Sequence, residues 1–251
     1  MTPEFSGKAA LVTGATRGIG LAIAQALHQR GCRLVINSRN AADLRAVAAS
    51  MPGAVGVQAD VTRGDEAGRL VSESLAGLGK LDMLVCNVGS GRSVPPGEET
   101  AKEWERVLGL NLHSATNVVE AARNALADTR GSIVCISSIC GVELIPGAPV
   151  TYSVAKAALN SYVRGIARPL GKWGVRINAI APGNVLFPGS VWEKKLAENQ
   201  ASVQDMLTRD VALGRLGTPQ DVAELTAFLL SEKSGFATGA VWTLDGGQVR
   251  H

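Results

Sequence analysis

Residues 9–20 read "AALVTGATRGIG", a short apolar run set directly against a turn that holds three glycines. "AALVT" (9–13) has the length and apolar continuity of a strand buried on both faces, and "GLAIAQALHQR" (20–30) carries apolar residues at helical spacing. Between them, Gly14, Gly18 and Gly20 permit a tight strand-to-helix turn, with Thr16, Arg17 and Ile19 filling it. Backbone N–H groups at the start of such a helix can meet a pyrophosphate. The spacing is G-x-x-x-G-x-G rather than the usual G-x-G-x-x-G, and glycines also close strand–helix turns for structural reasons alone. The rest of the chain has to decide between the two.

The same strand-then-helix unit recurs to the end. "RLVIN" (33–37), "AVGVQA" (54–59), "DMLVC" (82–86), "SIVCIS" (132–137), "VRINAIA" (175–181) and "AVWTL" (240–244) read as further strands buried on both faces. Segments of helical length, such as "DEAGRLVSESLAGL" (65–78), lie between them. This alternation predicts an α/β fold: one doubly wound domain over residues 1–251, with a seven-stranded, mainly parallel sheet covered on both sides. The longest irregular stretch, "APGNVLFPGSVWEKKL" (181–196), follows a strand and opens a segment (181–216) placed to act as a small substrate lid, since ligands bind outside the carboxyl ends of such strands. A plain surface loop is the alternative.

With 251 residues, 46% hydrophobic and 19% charged, the chain can bury one substantial core. A net charge of +3 without a basic run argues against nucleic acid, and no apolar stretch is long enough to span a membrane. The N-terminus lacks a charged start followed by a long apolar segment, so no secretion signal is expected. Cys32, Cys86, Cys135 and Cys140 show no C-x-x-C spacing and read as free thiols in a reducing cytoplasm. His28, His113 and His251 are far apart, and no metal site is expected.

Two further stretches carry chemistry. At the end of the second strand stands "NSRN" (37–40), where a dinucleotide fold places an acid to hold a ribose hydroxyl or an Arg to hold a 2′-phosphate. Ser38, Arg39 and nearby Arg17 supply guanidinium groups and no carboxylate, so NADP(H) is the expected cofactor. Arg39 read alone could be a solvated helix-start charge. In "TYSVAKA" (151–157), Tyr152 precedes Lys156 by four residues, so both project from one helix face. An ammonium close to the phenol would lower it from about 10 toward about 7–8 and make it a usable proton donor. An ordinary surface pair is the alternative for that spacing taken by itself.

Taken together, "TGATRGIG", "ADV" (59–61), "CNVG" (86–89), "GLN" (109–111), "ISS" (136–138), "YSVAK" (152–156), "INAIAPG" (177–183) and "LDGG" (244–247) resemble the short-chain dehydrogenase/reductase family over essentially the whole length. The resemblance implies a Rossmann-type domain, a nicotinamide cofactor and a catalytic set of Asn111, Ser138, Tyr152 and Lys156. Tyr152 would give the proton to a substrate carbonyl, Lys156 would lower its pKa and hold the nicotinamide ribose, and Asn111 would support a water chain to Lys156. Ser138 would hold the carbonyl oxygen; Ser137 competes for that role, and the family's S-x-x-G spacing selects Ser138. Asp60 and Val61 would sit at the adenine, Asn87 and Gly89 along the cofactor, with Asn87 alternatively structural. Pro182, Gly183 and Val185 would meet the carboxamide end. A homotetramer, or a homodimer, is implied as well.

The chain departs from the family pattern in places. Val88 replaces the Ala of "NAG", and Phe187 stands five residues after Pro182, where the family often has a Thr. Pro169 is expected to bend or end the helix that carries Tyr152. Within that family the chain resembles the 3-oxoacyl-acyl-carrier-protein reductases, and the resemblance implies an oxoacyl substrate or another small carbonyl compound. For carrier-protein docking, Arg130 and Lys172 lie in suitable sequence positions, but Trp173 stands where an Arg would help. Substrate walls are expected at 88–97, at 142–150 and at the lid, with Arg92, Ser138, Phe187 and Trp192 facing the substrate; a solvated loop arginine is the alternative for Arg92. Dehydrogenation of a sugar or cyclic alcohol, or a non-catalytic NADP-binding sensor, are the alternatives.

Overall fold

The computed structural model describes residues 3–250; Met1, Thr2 and His251 lie outside the described residues. The chain runs β1 (Ala9–Val12), α1 (Gly18–Gln29), β2 (Arg33–Ser38), α2 (Ala41–Ala49), β3 (Val55–Gln58), α3 (Gly64–Leu78) and β4 (Met83–Cys86). It continues through α4 (Ala101–Leu108), a π-helical turn (Gly109–His113) and α5 (Ser114–Thr129) to β5 (Ser132–Ile136). A 3₁₀ turn (Ile139–Gly141), α6 (Val150–Gly171), β6 (Arg176–Pro182), α7 (Val191–Glu198), α8 (Gln200–Asp210), α9 (Pro219–Leu230) and β7 (Val241–Leu244) complete it.

The strands form one seven-stranded sheet in the order β3-β2-β1-β4-β5-β6-β7, and every pairing in it is parallel. Alternation along each central strand feeds two separate cores. Ala9 and Leu11 of β1, Leu84 and Cys86 of β4, and Ile133 and Cys135 of β5 pack under α3, α5 and α6. Their neighbours Ala10, Val12, Met83, Val85, Val134 and Ile136 pack under α1 and α9. Each fully buried Leu or Ile contributes about 1.5–3 kcal/mol, so strands apolar on both faces are held between two layers of helices.

Three expectations need correction. The outer strands are not buried on both faces: of β3 only Val57 is buried, and no residue of β7 is fully so. Those two strands form the sheet's edges, where one neighbour is missing. Second, residues 191–196 are helical rather than irregular. The Ser190 side chain caps α7 by accepting from Glu193 N, and the Glu193 carboxylate in turn accepts from Gly189 N. Third, Arg130 and Lys172 precede β5 and β6, so within this chain they stand at the end of the sheet opposite Tyr152. Pro169 does sit in the last turn of α6, which stops two residues later. Among the described residues no helix is long and apolar enough to cross a membrane, and no cluster of His, Cys, Asp or Glu could hold a metal. The four cysteines are free.

Candidate active site

The strand order reverses about β1 and β4, which opens a crevice at their carboxyl ends. The glycine turn, Asn87, Ser138 and Gly183 all follow the carboxyl ends of neighbouring strands, so the parallel sheet itself gathers residues far apart in sequence.

The glycine turn is built for a close approach. Gly14 and Gly18 have φ of +62° and +54°, which a side chain would strain. A Cβ on Gly20 would collide with Gly14 O and the Asn87 amide. Asn87 is committed to this turn: its Nδ2 donates to Thr13 O at 3.1 Å and Gly14 O at 3.0 Å, and its N–H donates to Thr13 Oγ1 at 3.0 Å. The structure therefore uses the Asn87 side chain to fix the turn, the structural alternative of its two sequence readings.

Helix α1 starts without a side-chain cap and without an acid in its first turn. Helices α3, α5 and α6 also start without a side-chain cap, whereas α2, α4, α7, α8 and α9 are capped by Asn40, Thr100, Ser190, Asn199 and Thr218. Uncapped N–H groups at Gly18, Ile19 and Gly20 fit the phosphates of a dinucleotide. At the end of β2, Ser38 Oγ accepts from Thr16 Oγ1 at 3.3 Å and from Asn40 N at 3.2 Å. Arg39 is largely exposed and lies 3.6 Å from Asp60. Asp60 also accepts from the main chain and hydroxyl of Thr62. Burial pushes the Asp60 carboxyl up, but the Thr62 bonds and Arg39 outweigh it and leave its pKa below the ordinary value. Val61 is buried in the core beside this point.

The catalytic candidates meet on the other side of the crevice. Ser138 begins the 3₁₀ turn after β5, its Oγ accepting from Cys140 N at 3.2 Å. A Cβ on Gly141 would come within 2.5 Å of the Lys156 carbonyl carbon, so the S-x-x-G spacing has a steric reason. It lets the Ser138 turn lie against α6 at Lys156. Lys156 is 3% exposed; its Nζ donates to Ile136 O at 2.8 Å and lies 6.0 Å from the centre of the Tyr152 ring. Gly89 faces the same point, since a Cβ there would lie 2.8 Å from Asn111 Oδ1 and 3.0 Å from Lys156 Nζ. Asn111 sits in the π-helical turn, donating to Ser90 O and Val107 O and accepting from Ser90 N.

Electrostatics differ from the sequence expectation. Burial holds the Tyr152 phenol up at about 12, with the adjacent Ser138 hydroxyl pulling the other way, and burial lowers the Lys156 ammonium to about 8. Spacing puts both on one helix face, and Lys156 Nζ lies over the Tyr152 ring while donating to the β5 carbonyl, too far away to offset the burial of the phenol. Desolvation is the largest influence on both groups.

The expected substrate residues separate. Arg92 follows Gly91, which lies against the Tyr152 ring, and its guanidinium donates to Gly189 O at 3.3 Å. Phe187 lies instead on the glycine turn, its ring against Gly18. Trp192 packs within the cluster of Val203, Leu207 and Val211, under the ammonium of Lys195 at 4.5 Å. Near Pro182 and Gly183, Gly217 pairs with Val185 through the main chains of Asn184 and Leu186, leaving the Val185 peptide groups out of that pairing.

Sequence reasoning missed the support of this site. Ser93 bonds the fully buried Thr151 hydroxyl at 2.6 Å and donates to Glu103 at 2.7 Å, tying the loop after β4 to the residue before Tyr152. Bonds from Arg106 and then Ser93 hold the Glu103 carboxyl down at about 2. The sequence "TAKE" (100–103) signals only a helix start, and Thr100 Oγ1 does accept from Glu103 N. Nothing in it points Glu103 at Ser93.

Known proteins agree with this geometry. The family described as enoyl-(acyl carrier protein) reductase matches residues 14–248. An L-fucose dehydrogenase of Bos taurus is 34% identical over 98% of this chain and 91% of its own. A 3-oxoacyl-acyl-carrier-protein reductase of Chlamydia muridarum is 33% identical over 99% of this chain and all of its own. The NADPH-bound structure of a short chain oxidoreductase from Pseudomonas aeruginosa, described as containing an atypical catalytic center, superposes with a TM-score of 0.91 at 29% identity, covering 99% of this chain and 100% of that one. With the sheet order, the glycine turn and these full-length matches in agreement, the chain belongs to the short-chain dehydrogenase/reductase family of oxidoreductases.

Proposed function

We propose that this is a one-domain, NADPH-dependent enzyme that reduces a ketone to a secondary alcohol, in the manner of a 3-oxoacyl reductase. The observation that carries the reading is the convergence of Asn111 and Lys156 at Gly89 with Tyr152 at Gly91 and the Ser138 hydroxyl beside the Tyr152 phenol. A non-catalytic sensor would have no need of that set.

The cofactor, when bound, supplies the hydride. The Ser138 and Tyr152 hydroxyls donate to the carbonyl oxygen, where negative charge grows, and so favour the transition state over the ground state. Tyr152 then gives its proton to that oxygen. A phenol held at about 12 is protonated at neutral pH, the form a reduction requires, and is still much more acidic than an alcohol. Lys156, charged below about 8, stabilises the phenolate that remains.

Arg39 and the absence of an acid at Ser38 support NADPH over NADH, as does the NADPH-bound neighbour. The L-fucose dehydrogenase relatives favour a second reading, oxidation of a sugar hydroxyl by the same residues in reverse. For carrier-protein docking, the distance of Arg130 and Lys172 from Tyr152 within one chain counts against a direct role. We further propose a cytoplasmic homotetramer, or homodimer. The fully exposed Phe236, the half-exposed Phe228 and the apolar groove of Val119, Tyr162, Ile166 and Leu170 support burial against another subunit.

The test is oxidation of NADPH, with NADH alongside, against acyl thioesters, oxo-sugars and cyclic ketones. Turnover by the wild type, lost in Tyr152→Phe while NADPH still binds, is expected. Full activity in Tyr152→Phe would remove the phenol from the mechanism.

A further inference from the structure

Phe187 covers the glycine turn. A Cβ built on Gly18 would stand 2.6–2.9 Å from three carbons of the Phe187 ring, so the ring rests on the bare main chain where α1 begins. It is held there from several sides. Ser190 N donates to Phe187 O at 2.9 Å, and Phe187 N donates to Ser190 Oγ at 3.3 Å. Gly189 then takes the Arg92 guanidinium on its carbonyl, while Arg17 Nη1 comes within 3.4 Å of where a Gly189 Cβ would be. Behind the ring lies the apolar core of the α1 and α9 face.

This is the place a phosphate needs. An anion that takes the uncapped N–H groups of Gly18, Ile19 and Gly20 must lie over the same turn, within about 3 Å of the main chain. An aromatic ring already in contact there excludes it. We propose that Phe187 plugs the phosphate seat, so that the ring must leave Gly18 before a dinucleotide can dock. The proposal rests on the reading that the start of α1 holds the cofactor. Release requires the Arg92–Gly189 bond to break and the ring to leave the α1 and α9 core, with the chain swinging beyond the Val185–Gly217 pairing, which stays as the fixed end. Arg92, once freed of the Gly189 carbonyl, and Arg17 on the glycine turn then face an incoming anion.

Apparent affinity equals intrinsic affinity multiplied by the open fraction. A bias of about tenfold toward the plugged state, about 1.4 kcal/mol, lies within what a partly buried aromatic ring can supply. The experiment is stopped-flow NADPH fluorescence on the full chain, comparing wild type with Phe187→Ala and Phe187→Leu, each checked for folding by circular dichroism. Wild-type binding rates are expected to level off with NADPH concentration as opening becomes limiting. In Phe187→Ala the rate should rise linearly and the dissociation constant should fall about tenfold. Phe187→Leu, which keeps an apolar side chain without the ring, should lie between them and decides the matter if the alanine variant does not fold. Equal or weaker binding by the variants would overturn the plug alone. Failure of the wild type to bind NADPH or NADH would overturn the cofactor reading and the plug together.

Discussion

Gly141→Ala tests how the Ser138 turn is seated on the helix that carries Tyr152 and Lys156. A Cβ at residue 141 would lie 2.5 Å from the Lys156 carbonyl carbon, 2.7 Å from Ala157 N and 2.8 Å from Lys156 Cβ. Carbon pairs rest at about 3.5–4.0 Å, so the turn and the helix must part by about 1 Å. Two of the three atoms are main chain of a buried helical turn, so rotamer changes cannot absorb the clash. The turn is tied down as well, since Gly141 O accepts from Asn160 Nδ2 at 2.9 Å. Overpacking of this kind costs about 1–3 kcal/mol, and the stiffer unfolded chain returns about 0.4–1 kcal/mol, for a net loss near 1–2 kcal/mol.

Activity should suffer more than stability. A displacement of about 1 Å between groups that act on one atom can lower turnover about a hundredfold. Gly165→Ala, on the same helix with nothing within 4 Å of its Cβ position, is the control and should be neutral or stabilising by up to about 1 kcal/mol. Urea unfolding and kcat for NADPH oxidation would be measured on both variants. If Gly141→Ala unfolds within about 0.5 kcal/mol of wild type and keeps kcat within about threefold, the close packing of the turn on α6 does not set the catalytic geometry.

Arg39→Ala should weaken NADPH about tenfold or more while leaving NADH almost unchanged, measured by fluorescence titration. Equal losses would place the 2′-phosphate elsewhere. For pH dependence, both tyrosines are raised by burial, so the unliganded protein should show no tyrosinate absorbance at 295 nm below about pH 10. The sign for stability follows: Tyr152 keeps its proton to about 12 when folded and loses it near 10 when unfolded, so its contribution is complete below pH 10 and lost as pH rises from there toward 12. A tyrosinate band growing between pH 7 and 9, and absent in Tyr152→Phe, would mean that Lys156 controls the phenol after all.

The fold was legible because its decisive property is local. A strand buried on both faces is apolar at every position, and a central strand such as β1 or β5 shows that in four or five letters. Edge position is not local, which is why β3 and β7 read as interior strands although each has a single neighbour. Residues 191–196 were read as irregular because Gly and Pro dominate the stretch before them, whereas Ser190 and Glu193 start a helix there through two hydrogen bonds. The catalytic candidates were legible for a related reason: in a parallel sheet, residues after successive strands must meet at one edge, so position along the chain already predicts proximity.

What each side chain does at that edge depends on partners brought from elsewhere in the chain. Asn87 and Lys156 both carry amide or ammonium donors into the crevice, and both spend them on main-chain carbonyls, of Thr13, Gly14 and Ile136. An unpaired donor buried there would cost about 1–3 kcal/mol, more if charged, so the fold satisfies them internally. The same reasoning covers Phe187, whose ring finds apolar contact on main chain left bare by Gly18. A phosphate can face Gly18 only when Phe187 leaves. The site is thus held by hydrogen bonds to main chain from elsewhere in the fold, and a reading from spacing alone finds the residues without finding those contacts.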